Sequence, residues 1–137
     1  MSQEQTVRDA MNDSPQTVGR DTSVRDAARA MRDADVSILA VVDEDDALIG
    51  VITDRDIAIL VVAEEIDAST ATVGDTMSEP ISVDQGDSLD EAFRRMLEEN
   101  VHRAPVTDDD RHVAGMLSQA DAAQEGEGRS VGGSSSG

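Results

Sequence analysis

Gly50-Val51-Ile52-Thr53-Asp54-Arg55-Asp56 reads as the end of a strand running into the first turn of a helix, and Gly115-Met116-Leu117-Ser118-Gln119-Ala120-Asp121 repeats the pattern 65 residues later. In each stretch a glycine and two apolar residues lead to a hydroxyl, with Asp three positions further on. A hydroxyl followed at that spacing by a carboxylate is a helix-start signal. Moving outward in the same register, Val18/Val83, Ser23/Ser88, Ala27/Ala92, Arg29/Arg94, Met31/Met96, Val36/Val101, Val41/Val106, Asp43/Asp108 and Asp56/Asp121 all match. Thr6-Val7-Arg8-Asp9-Ala10-Met11 returns as Thr72-Val73-Gly74-Asp75-Thr76-Met77, one residue out of step. So many matches in one register identify a tandem repeat.

Each copy predicts the same order of elements. A short helical turn (Thr6 to Met11, Thr72 to Met77) is broken by Pro15 or Pro80 and followed by an extended piece at Thr17-Val18 or Ser82-Val83. Val24, Ala27, Ala28 and Met31, and likewise Leu89, Ala92, Phe93 and Met96, have the i, i+3, i+4, i+7 spacing of an amphipathic helix, opened by capping boxes at Ser23/Asp26 and Ser88/Glu91. Strands are expected at Val36 to Val42 and Val101 to Thr107. After the acidic turns Asp43 to Asp46 and Asp108 to Asp110, second strands follow at Leu48 to Ile52 and Val113 to Leu117. The final helices start at Thr53 and Ser118, the first continuing to about Ile66. The fold class is α/β (α+β), with repeats at 6–66 and 72–123, a connector at 67–71 and a flexible tail at 124–137. One unit of about 55 residues is marginal alone, so the repeats are expected to pack as a pseudo-twofold pair.

Composition excludes several functions. The net charge is −19, all 11 basic residues are Arg, and there is no Cys, Trp or Tyr. Disulfides, thiol catalysis and cysteine-ligated zinc are ruled out. A strongly acidic chain without a basic stripe does not suit duplex nucleic acid. The longest apolar run, Ile57 to Ala63, is too short for a membrane span, and the polar start at Met1 to Thr6 lacks signal-peptide character. A cytoplasmic protein is expected. Abundant Asp without Lys fits a salt-adapted cytoplasm, such as that of a halophilic archaeon, where concentrated ions screen self-repulsion.

The repeat resembles the CBS domain, the module named for cystathionine beta-synthase. The resemblance rests on the two glycine-to-Asp stretches and on Val101-His102-Arg103-Ala104-Pro105-Val106-Thr107-Asp108, which is similar to the family's His-Arg-x-Pro-Val pattern. It implies a tandem pair with two ligand clefts, binding AMP, ADP, ATP or S-adenosylmethionine. It also implies a homodimer that regulates an effector protein and catalyses nothing itself. The chain shows no effector domain, so action in trans is expected.

The resemblance carries over residue by residue. Thr53 and Asp56, and Ser118 and Asp121, match the family's Thr/Ser-x-x-Asp, whose carboxylate accepts the ribose hydroxyls. Ordinary helix capping accounts for the same residues and is compatible with that role. His102 and Arg103 are phosphate contacts on this reading, or else an exposed polar strand edge; Ser37 and Ile38 stand at their places in the first copy. Arg55 has Ala120 as its counterpart. The family places adenine near Thr17, Ile38 and Leu39 in one cleft, and near Ile81, Arg103 and Ala104 in the other. The two clefts should differ, the second preferring the phosphorylated ligand.

Other readings are weaker. Counted from Asp43, a calcium loop would need Gly at Leu48 and Glu at Asp54, so the acidic turns read as solvated hairpins and no metal is expected. No cofactor is called for. A ligand-free interaction module remains a rival, given Gln119-Ala120 against Asp54-Arg55. A hydrolase using paired carboxylates has no distinctive nucleophile-base spacing to support it.

Overall fold

The two amphipathic spacings become α2 (Val24–Ala34) and α5 (Leu89–Glu98) in a computed structural model that describes residues 5–123. Val24, Ala27 and Met31 on one helix, and Leu89, Ala92 and Met96 on the other, are buried. The Oγ of Ser23 accepts from the N–H of Asp26 at 3.0 Å, and that of Ser88 from the N–H of Glu91 at 3.3 Å, so both hydroxyls cap, which is the hydroxyl half of each expected box; the Asp26 carboxylate instead pairs with Arg29 at 3.6 Å. The chain leaves the helices through Asp35 and Asn100, each with φ 58°. Asp and Asn tolerate that left-handed conformation better than other side chains with a Cβ.

Each helix returns to a strand parallel to the one before it. Strand β1 (Thr17–Gly19) pairs in parallel with β2 (Ile38–Val42), which pairs antiparallel with β3 (Leu48–Thr53). Strands β4 (Val83–Asp84), β5 (Arg103–Thr107) and β6 (Val113–Ser118) repeat this mixed sheet in the same order. The expected strands at 36–42 and 101–107 thus begin two residues later. Both ladders slip at the equivalent place, between Val41 and Val42 and between Val106 and Thr107. The acidic stretches form the hairpin turns, with Asp46 (φ 64°) and Arg111 (φ 67°) as a further matched pair.

Helices α3 (Asp54–Ala58) and α6 (Gln119–Ala123) follow the last strands. The helix expected to run to about Ile66 changes character: Ile59–Ala63 is π-helical, and the N–H of Glu64 reaches back to the carbonyl of Ile59 at 2.9 Å. Three β-branched residues, Ile59, Val61 and Val62, crowd this turn and disfavour tight α-helical packing. The expected tail at 124–137 lies outside the described residues.

The described residues form two compact units, Pro15–Pro80 and the combination of 5–14 with 81–123. The opening turns α1 (Val7–Ala10) and α4 (Val73–Thr76) therefore belong to units other than their own sequence copies. Within Pro15–Pro80, the N–H groups of Val73 and Gly74 donate to the carbonyls of Thr22 and Arg20 at 2.7 and 2.8 Å, and Val51 bridges Ser78. In the other unit, Val7 and Arg8 donate to the carbonyls of Asp87 and Gln85 at 2.9 and 3.0 Å, and Met116 bridges Asn12. Val7 and Val73 are fully buried, each in the core of its unit.

This seating explains the glycine that opens each motif. A Cβ on Gly115 would lie 2.6 Å from the carbonyl oxygen of Asn12 and 2.7 Å from Sδ of Met11. On Gly50 it would lie 2.5 Å from Sδ of Met77 and 3.0 Å from the carbonyl of Ser78. A methionine tip can move aside, whereas a paired carbonyl cannot. Gly115→Ala should therefore destabilise the protein by about 1–3 kcal/mol, and Gly50→Ala by less, in denaturant titrations followed by circular dichroism. Equal stability of Gly115→Ala and the parent would contradict the seating.

Candidate functional site

At the start of β2 the ladder sets Ile38 opposite Thr53. The N–H of Asp54 donates to the carbonyl of Ser37 at 3.0 Å, tying the helix start to the strand start. Thr53 and Asp56 form a reciprocal cap: the N–H of Asp56 donates to Oγ1 of Thr53 and the N–H of Thr53 to Oδ2 of Asp56, both at 3.1 Å. Ser37, Ile38, Thr53 and Asp56 are thereby brought to one junction, with Arg55 exposed on α3. A carboxylate has about four acceptor positions, so one backbone contact leaves Asp56 capacity for further donors. Thr17 is exposed on β1, in register with Ala40.

The other unit builds the same junction with different charges. Arg103 is the ladder partner of Ser118, and the N–H of Gln119 donates to the carbonyl of His102 at 2.8 Å. Oγ of Ser118 accepts from the N–H of Asp121 at 3.0 Å. His102, Arg103 and Asp121 are exposed and Ser118 is half-buried. The main chain thus carries a His-Arg pair to the junction that holds Ser118 and Asp121, where the first junction has Ser37 and Ile38. Ile81 is half-buried just ahead of β4.

The side chains of Leu39 and Ala104 are fully buried in the cores of their units, and Ile38 is nearly so. Any part that Leu39 and Ala104 take in binding runs through their main chain. Sequence reasoning missed Gln119, which it treated only as a departure from Asp54. Its side-chain Nε2 donates to the carbonyl of Val101 at 2.9 Å. The available signal was an amide directly after a capping hydroxyl.

Two other features lie elsewhere. A cavity of about 380 Å³ opens at the far end of β2, lined by Gly19, Arg20, Thr22 and Val42 with Asp21, Asp43 and Glu44. None of the sequence-assigned residues lines it, and its acidic rim disfavours an anionic ligand. In the second hairpin, Asp108, Asp110 and His112 can bring ligand atoms within 4.8 Å of one another. The turn itself accounts for their proximity: Oδ1 of Asp108 accepts from the N–H groups of Asp110 and His112, both at 2.9 Å. Among the described residues no helix is long and apolar enough to cross a membrane.

A family model for the CBS domain matches residues 7–63 and 73–127. The chain belongs to the CBS domain family. It is similar to Hypoxic response protein 1 of Mycobacterium tuberculosis, with 38% identity over 120 residues, spanning 87% of this chain and 83% of the relative. A crystal structure of that protein with two coordinated zinc ions gives a TM-score of 0.80 at 35% identity, over 88% of this chain and 98% of that one. The CBS domain pair of protein MJ0100, solved with 5'-methylthioadenosine and S-adenosyl-L-methionine, gives 0.81 at 26% identity, over 93% and 99%. CBSX2, a CBS-pair protein from Arabidopsis thaliana, solved in complex with AMP, gives 0.79 at 30% identity, over 91% and 98%.

Two turns of this CBS pair, at Asp43 and at Asp67, hold a carboxylate on hydrogen-bond donors. The backbone N–H groups of Ala47 and Asp45 hold the Asp43 carboxyl below its ordinary value of 3.8. The hydroxyl and N–H of Ser69 do the same for Asp67. A carboxyl depressed in the folded state contributes stability above its unfolded pKa, and that contribution is lost as pH falls through the folded value. Carboxyl-carbon NMR should show both groups titrating below 3.8 in folded protein. Titration at or above the ordinary value would mean that these turns do not form as described.

Proposed function

We propose that this CBS pair is a regulatory sensor of adenosine-containing ligands, AMP, ADP or ATP, and that it modulates an effector protein in trans. The observation that carries this reading is the second junction. Arg103 and Ser118 are ladder partners at the base of a helix whose first turn holds Asp121, with His102 one residue away. Arg offers a planar fork of donors to phosphate, and His adds charge when protonated. Asp121 can accept the two ribose hydroxyls, and Ser118 adds a further polar contact. In a chain of net charge −19, an anionic ligand needs such local compensation. The complex of CBSX2 with AMP supports this choice of ligand.

The first junction favours a second ligand of the same class. It has Ser37 and Ile38 in place of the His-Arg pair, with Arg55 as its cation, and the overall charge of −19 suits the cationic S-adenosylmethionine. The MJ0100 complex supports that alternative. On this reading ligand acts by binding two conformations unequally, because only a difference in affinity shifts an equilibrium. The reading is regulatory and assigns no reaction. We place the protein in a salt-rich cytoplasm as a homodimer. Ile59 and Val62, 40% and 77% exposed, are apolar surface for such an association.

Calorimetric titration with AMP in concentrated KCl should show saturable binding. Asp121→Ala should weaken it roughly 10- to 150-fold, the value of a charged hydrogen bond. Unchanged affinity in that variant would overturn the assignment of Asp121. No binding of AMP, ATP or S-adenosylmethionine would favour a ligand-free interaction module.

A further inference from the structure

We infer that Gln119 is a positioning residue that holds the His102-Arg103 segment in place for the phosphate of the ligand; this rests on the nucleotide reading above. Gln119 is the first residue of α6 and bonds two consecutive carbonyls of the approaching chain. Its main-chain N–H donates to His102 at 2.8 Å and its side-chain Nε2 donates to Val101 at 2.9 Å. Val101 is also held from the other side, where its N–H donates to the carbonyl of Met96 at 2.9 Å. The turn between α5 and β5 is thus tied at both ends of one residue, immediately before the two side chains that the nucleotide reading assigns to phosphate.

The first unit shows what the amide adds. There the N–H of Asp54 makes the single equivalent bond, to the carbonyl of Ser37 at 3.0 Å. An ionised Asp side chain has no hydrogen to give a carbonyl, so the second tie has no counterpart. The extra donor occurs in the unit that has the cation pair, and Ser37-Ile38 carries no charge to aim. His102 and Arg103 are both exposed, and Arg103 is long. Fixing their main chain removes part of the ordering cost that phosphate binding would otherwise bear. Gln119 needs no contact with the ligand to do this.

The test separates this role from simple structural support. Gln119→Met keeps the length and neutrality of the side chain and removes the donor. AMP and adenosine would be titrated into the parent and the variant in concentrated KCl. Affinity for AMP should fall roughly 2- to 10-fold while affinity for adenosine stays unchanged, so that the ratio between them falls equally. Amide exchange at His102 and Arg103 in ligand-free protein should speed up. Should the variant fold poorly, Gln119→Ala supplies the same comparison. An unchanged ratio, or equal weakening of both ligands with a lower melting temperature, would overturn the inference. A parent that binds neither ligand would instead remove the nucleotide reading, and this inference with it.

Discussion

The register between the second and third strands of each sheet governs everything else at the two junctions. It is pinned at one end by the bond from the residue after the capping hydroxyl to the carbonyl at the strand start, Asp54 to Ser37 and Gln119 to His102. At the other end the hairpin turn is closed by a carboxylate that accepts two backbone N–H groups, Asp43 in one copy and Asp108 in the other. Between these points a shift of one residue would exchange the two faces of a strand and take side chains such as Val41, Ile52, Val106 and Leu117 out of the cores they pack in. The same constraint puts Arg103 opposite Ser118 and Ile38 opposite Thr53. The polar junctions therefore follow from the packing of the sheets.

Much of this was legible in the sequence. The helices, strands, hairpin positions and capping hydroxyls follow from periodicity and spacing, because each is decided within a few residues. The paired left-handed positions at Asp35 and Asn100 extend the duplication to backbone conformation. The destination of the opening turns was not legible. Val7 and Val73 carry the same anchor at the same place in near-identical turns, so either turn satisfies the hydrophobic pattern of either body. Only hydrogen bonding over long sequence separations distinguishes them, such as Val7 to Asp87. The π-helical stretch at Ile59–Ala63 was hidden for another reason: an apolar run reads alike in either helical form.

The candidate site divides in the same way. Thr53, Asp56, Ser118 and Asp121 announce themselves by spacing, and the structure brings each pair together at a strand-to-helix junction. Gln119 looked like erosion of the motif when compared with Asp54. Its amide instead secures the segment that carries the cation pair. The two copies share one scaffold and differ in the charge they present: His102 and Arg103 at one junction, Ser37, Ile38 and Arg55 at the other. A duplicated fold has in this way acquired two chemically distinct surfaces without altering the register of its antiparallel ladders.

The central claim is that an adenine nucleotide engages the junction between β5, β6 and α6. Its most direct test is a titration of AMP into isotopically labelled protein in concentrated KCl, followed by backbone amide NMR. The account predicts that the largest shifts fall on Arg103, Ser118 and Asp121. Shifts confined to the hairpin at Asp108 to His112, or to the cavity beside Arg20, would contradict it.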